Sequence, residues 1–168
     1  MACAYDPQKD RKIPRPPKVE SWTSQAHIAA PPEVVWKVIV DLEAYAEWNP
    51  WLSQAKGSAE VGGSVDAVVH LGEETRKAGH LVFEVEAPRR FCWRDAGFTT
   101  NFATGSRCRT LEPDGQGGTH FVVELQVGGA FRKTVRKKYG DKLQAGMDAE
   151  TSALATRAES LAKQTVRD

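Results

Sequence analysis

Apolar and polar positions along the chain change period twice, and each change marks a new kind of element. From Val19 to Ile28 they alternate. Trp22, Ala26 and Ile28 share one face with Ser24 between them, while Ser21, Thr23, Gln25 and His27 share the other, as in a half-buried strand. The period then turns helical: Val35, Val38, Ile39 and Leu42 form one apolar stripe. Pro31 and Pro32 stand at its start, where N–H groups have no intrahelical partner to lose. Glu33 places negative charge at the positive end of that helix. An aromatic-rich second turn ends at Asn49-Pro50-Trp51, where Pro50 pushes Asn49 toward extended backbone. Alternation returns in Val65/Ala67/Val69/Leu71, Leu81/Phe83/Val85, Phe91/Trp93 and Phe121/Val123/Leu125/Val127. Gly62-Gly63, Gly72, Ala87-Pro88, Gly97 and the Pro113-Asp114-Gly115 turn punctuate these runs like a meander of hairpins. After Gly128-Gly129 the helical period takes over for good. Phe131, Val135, Tyr139, Leu143 and Met147 recur every four residues, and Leu154, Ala158 and Leu161 carry the stripe on. The pattern predicts an α+β layout with one long helix laid against an antiparallel sheet. One helix cannot fill a strongly curved sheet, so the layout predicts a pocket.

Length and composition narrow this picture. At 168 residues the chain suits one domain with a tail. Residues 1–18 hold Pro7, Pro14, Pro16 and Pro17 among charges and read as a weakly ordered arm; residues 19–164 read as the ligand-binding domain. A net charge of +1 gives no global pull toward nucleic acid or an anionic membrane. Cys3, Cys92 and Cys108 show no metal-ligand spacing, and an odd count speaks against a complete disulfide framework. The expectation is a reduced, cytoplasmic setting. No stretch approaches the ~20 apolar residues of a membrane helix, so no membrane insertion and no secretory leader are expected.

The segments AAPPEVVWKVIVD, YAEWNPWL, VGGSV, APRRFCW, LEPDGQGGTHF and the long helix after the glycine pair carry a family likeness across about residues 19–163. In this order the chain resembles the SRPBCC, or START-like, superfamily, and within it the polyketide cyclase/dehydrase-type proteins. The resemblance implies the helix-grip fold: a curved antiparallel sheet wrapped around the C-terminal helix, with two short helices after the first strand. It implies a hydrophobic cavity for a small hydrophobic or polyketide-like molecule or a lipid, with neither metal nor nucleotide cofactor, in a monomer or homodimer. It does not fix the reaction, because this fold hosts carriers, cyclases, hydrolases and regulators. Many relatives place a His where this chain has Arg107, and a Glu where it has Leu125. Any acid–base role of that pair does not carry over.

Arg107 and Arg109 are the sharpest candidate chemistry. Counted back from Leu111, both fall on the inward face. A guanidinium keeps its proton and offers a planar fork to a carboxylate, phosphate or enolate oxygen; Arg107 is the catalytic candidate, as an oxyanion stabiliser. Two competing arrangements stand beside this one: a bulge near Gly105 that turns both outward, or a structural pairing with Asp95 or Glu112. For the pocket wall, Trp22, Phe83, Trp93, Phe121 and Val123 come from strands. Trp48, Trp51, Phe98 and Phe102 come from loops or strand ends near a mouth, and Leu143 and Met147 from the long helix. Aromatic residues in a domain this size are mostly core. By alternation His27, His70, His80 and His120 fall opposite the apolar stripe, so solvated surface is the expectation for all four. Nothing marks Cys92 or Cys108 as an activated thiolate, and no metal-site spacing is present. The basic run Arg132, Lys133, Arg136, Lys137 and Lys138 reads as a solvated helix face, with an acidic partner or anionic lipid surface as the alternative.

Three functions follow, each with its own signature. A cyclase or dehydratase requires convergent polar groups at one spot in the pocket. A carrier or sensor of a hydrophobic metabolite requires a continuous apolar cavity. An interaction module requires a filled core and an exposed apolar patch.

Overall fold

The computed structural model describes residues 18–97 and 102–165. The proline-rich arm apart from Lys18, and Phe98, lie outside the described residues. The elements in order are β1 (Glu20–Ile28), α1 (Pro32–Val40), α2 (Tyr45–Trp48), β2 (Leu52–Gly57), β3 (Ser64–Leu71), β4 (Glu74–Glu86), β5 (Arg90–Ala96), β6 (Thr104–Pro113), β7 (Thr119–Gly128) and α3 (Arg132–Thr165). The strands form one antiparallel sheet in the order β1-β7-β6-β5-β4-β3-β2. Consecutive strands pair as hairpins from β2 to β7, and β1 joins the far edge beside β7. The two short helices bridge the chain from one edge of the sheet to the other. α3 lies across the concave face and touches β1, β3, β7, α1 and α2. This is the helix-grip fold.

Local chemistry explains the corners. Pro31 and Pro32 start α1 without a side-chain cap, and Val35, Val38 and Ile39 bury its stripe. Asn49 ends α2 in extended backbone. Its Oδ1 accepts from the backbone N–H groups of Trp51 (3.0 Å) and Leu52 (2.9 Å), an Asx turn that aims Trp51 inward. Gly129, at φ +97°, brings the chain into α3 past Phe102; a Cβ there would meet the Phe102 carbonyl oxygen at 2.4 Å.

The structure adds one strand to the sequence pattern and corrects the expectations for β4 and the cysteines. LSQAKG carries no clean alternation, yet it forms β2, held by pairing with β3 across a register shift between Ser53 and Lys56. In β4 a register shift between Val82 and Glu84 leaves Phe83 without a partner on β5. One extra residue reverses the facing of everything before it. His80 and Val82 therefore point inward, and Phe83 is 39% exposed. Cys92 and Cys108 stand directly opposite each other on β5 and β6 and form a disulfide. An odd cysteine count does not reveal a pair created by strand register.

Candidate functional site

Pairing between β6 and β7 runs unbroken from Thr104↔Gly128 to Pro113↔Thr119, so no bulge disturbs the alternation. Arg107, Arg109 and Leu111 all face inward, with the two arginines 3% and 0% exposed. Their shared partner is neither Asp95 nor Glu112 but Glu150 on α3. Arg107 Nη2 donates to Glu150 Oε2, and Arg109 Nη2 donates to Oε1 at 3.1 Å. Glu150 lies three residues beyond Met147 on the buried side of the helix and is itself 2% exposed. Aromatic faces complete the cage: the Arg107 guanidinium lies 4.5 Å from the Trp51 ring centroid, and that of Arg109 lies 4.3 Å from Trp93. Trp51 reaches this position because α3 has Gly146 beneath it, where a Cβ would sit 2.4 Å from the indole. Burial alone would raise the Glu150 carboxyl pKa, but the two arginines outweigh it and hold the value below the ordinary one. Burial, with Arg109 alongside, lowers the Arg107 guanidinium to about 10.

A second polar pair stands nearby. His80 stacks on Trp93 with ring centroids 5.0 Å apart. Its Nδ1 lies 3.3 Å from the Val65 carbonyl oxygen. A carbonyl only accepts, so this contact places the ring proton on Nδ1 and leaves Nε2 as an acceptor. Nε2 is 3.7 Å from Asp95 Oδ1, too far for a hydrogen bond. Asp95 Oδ2 accepts the Gly105 N–H at 2.7 Å. Burial drives the His80 pKa down to about 4, so the ring is neutral near pH 7. Burial pushes the Asp95 carboxyl up, partly offset by the Gly105 hydrogen bond.

His80, Asp95 and Arg107 meet in a pocket of about 230 Å³ between the sheet and α3. Its wall is Leu52, Val69, Leu71, Leu125, Val127, Val135 and Leu143, with Trp93, His80, Asp95 and Arg107 on the strands, Trp51 from the turn before β2, and Arg76 with Tyr139 beside them. Arg76 Nη2 donates to the Tyr139 hydroxyl, bridging β4 to α3.

Of the residues singled out in sequence, Trp51, Trp93, Arg107 and Leu143 line this pocket. Arg109 stands behind it against Phe91 and Trp93. Trp22, Phe121, Val123 and Met147 are buried in the core without lining it. Trp22 packs beside Gly140 under the Arg136 guanidinium. Trp48 is half-buried on the far side of α1, near Arg157 and Leu161. Phe102 is exposed and pairs with Phe131; Phe83 faces outward.

His80, Asp95 and Glu150 are not among the sequence candidates for the site. Alternation puts His80 on the wrong face because the β4 bulge is invisible in an alternating string. Glu150 does carry a signal: a carboxylate in phase with Leu143, Met147 and Leu154 demands a buried cation. Among the described residues, Glu84, Cys92 and Cys108 gather within 4.8 Å, but both sulfurs are consumed in the disulfide and offer no thiolate to a metal. No helix among the described residues is long and apolar enough to cross a membrane.

Comparison with known proteins places this geometry. Residues 20–159 match the family described as polyketide cyclase / dehydrase and lipid transport. No curated protein sequence matches the chain. Among solved structures, the Zhui aromatase/cyclase from Streptomyces sp. R1128 superposes with a TM-score of 0.72 at 17% identity, over 84% of this chain and 94% of that one. TTHA0849 from Thermus thermophilus gives 0.69 at 18% identity, over 84% and 99%. Norcoclaurine synthase from Thalictrum flavum, solved with dopamine and hydroxybenzaldehyde, gives 0.65 at 11% identity, over 83% and 86%. At these identities the likeness is one of fold.

Proposed function

Because the chain belongs to the polyketide cyclase / dehydrase and lipid transport family, we propose that it holds a small, largely apolar molecule beneath α3 and closes a ring in it. One observation carries this reading: His80, Asp95 and Arg107 converge on the sheet side of an otherwise mainly apolar pocket. A carrier has no use for such convergence, whereas a catalyst requires it. At about 230 Å³ the pocket falls below the ~300–1,000 Å³ of drug-sized sites, which favours a substrate of one or two rings.

The chemistry follows from the placement. Arg107 stabilises the oxygen of a substrate carbonyl as negative charge develops there. His80 Nε2, neutral and unprotonated, takes a proton from the carbon beside that carbonyl. The resulting enolate attacks a second carbonyl of the same molecule, forming the ring's C–C bond. The proton returns to the new alkoxide; loss of that hydroxyl together with a second proton from the adjacent ring carbon releases water and leaves a C=C bond in the ring. The apolar wall contributes by folding the chain and keeping solvent out.

A carrier is the second reading, favoured by the fact that Arg107 is already paired with Glu150. A linear triketone separates the two. The enzyme reading expects ring closure, slowed about a hundredfold by His80→Gln; recovery of unchanged triketone from a bound complex favours the carrier. Binding itself is tested with the neutral fluorophore N-phenyl-1-naphthylamine. Its emission should rise on wild-type protein and stay flat with Leu143→Trp, which fills the pocket. Equal emission with both proteins removes the pocket from the function.

A further inference from the structure

We propose that the molecule held in this pocket is an acid: an apolar body of one or two rings bearing a single carboxylate seated against Arg107. The inference rests on the pocket reading above and adds the ligand's charge: with five N–H donors and only Nη2 spent on Glu150, the Arg107 guanidinium seats the carboxylate and still donates to the reacting carbonyl oxygen.

A charge inventory of the interior leads to it. Arg107 and Arg109 share one carboxylate, Glu150, so the cluster keeps one uncompensated positive charge. Among the described residues no second carboxylate forms an ion pair with either arginine. Asp95, the other carboxylate lining the pocket, forms no ion pair with either arginine: it accepts the Gly105 N–H, stands beside His80 and has a side chain 44% exposed, so water screens its charge. The Tyr45 hydroxyl donates to the Ile39 carbonyl oxygen, and burial holds its proton in place, with a pKa raised to about 12. His80 is neutral near pH 7. A buried charge without a counter-charge is costly.

The donors point the same way. A guanidinium offers five N–H donors, yet Arg107 spends only Nη2, on Glu150. Its Nε, and both Nε and Nη1 of Arg109, are buried without a partner. Arg107 is the member of the pair that lines the pocket. A carbonyl brought there would satisfy a donor but leave the charge; a carboxylate answers both.

Calorimetric titration with 2-naphthoate and 2-naphthamide, matched in shape and differing in charge, tests this. The acid is expected to bind at least about tenfold tighter than the amide. Glu150→Gln, which removes the cluster's one negative charge, should widen that ratio, and Arg107→Gln should erase it. Leu143→Trp should abolish binding of both probes. Equal affinities for acid and amide overturn the inference and leave the pocket reading standing; failure of both probes to bind overturns the two together. Acid binding that survives Leu143→Trp and vanishes at high salt places the acid on the basic face of α3 and also overturns the inference. Should a cluster variant lose its near-ultraviolet circular dichroism, the acid-to-amide ratio of the wild-type protein decides alone.

Discussion

Glu150 is the one carboxylate shared by two buried arginines. Removing it strands two buried guanidinium groups without a counter-charge, and a broken buried pair typically costs about 3–5 kcal/mol. Glu150→Ala should therefore show that loss in urea unfolding. Arg157→Ala breaks an ion pair too, with Glu47 at 2.8 Å, but both side chains are substantially exposed, and its cost should stay under about 1 kcal/mol. Equal costs for the two variants contradict the arrangement. Alternation read from the sequence offers the inward placement of the arginines beside an outward one, and the unbroken β6–β7 register decides for the inward one. The sequence marks Glu150 as a carboxylate on the buried stripe of α3 but cannot match it to arginines 43 and 41 residues away on another element.

At the level of elements, the bulge in β4 decides which side chains see the interior. It turns Val82 and His80 inward and Phe83 outward. Phe83→Ser should then be nearly neutral, within about 0.5 kcal/mol. Val82→Ala should cost more than about 1 kcal/mol, since it empties a buried site. A strand with the simple alternation read from Leu81/Phe83/Val85 reverses both results, so thermal unfolding of the two variants distinguishes the arrangements. The bulge also explains why the site is only half legible in the sequence. Trp93 and Arg107 lie on strands whose period is undisturbed. His80 lies on the far side of an inserted residue, and the insertion shows only in the pairing with β5. The disulfide has the same origin: Cys92 and Cys108 become neighbours through register, which no spacing rule encodes.

For the whole molecule, the buried titratable groups predict how stability responds to acid. His80 has a folded pKa of about 4 against an ordinary 6.5. Below about pH 6.5 the unfolded chain gains a proton that the folded chain refuses, so stability falls as pH drops from about 6.5 to 4 and this contribution then levels off. The loss is on the order of 3 kcal/mol at most. Glu150, with its carboxyl pKa held down, contributes stability that is present above the ordinary carboxylate range and lost as pH falls below it. Asp95 acts in the opposite sense. Its raised pKa favours the folded chain at low pH, and that contribution is lost as pH rises through the folded value. Urea midpoints measured from pH 7 to 4.5 should decline for the wild-type protein and flatten for His80→Leu. A wild-type midpoint that does not move over this range argues against a buried neutral His80.

The first strand and helix, the later hairpins and the long roofing helix were determined by the sequence, because periodicity and turn chemistry are local properties; the inward facing of the arginines followed from alternation once pairing showed no bulge. Tertiary structure alone decided that Glu150 answers Arg107 and Arg109, that His80 faces the pocket, that two cysteines meet, and that Phe83 and Phe102 stand outside. Each of these depends on register or on the seating of α3 against the sheet, and both are set by packing between segments far apart in the chain.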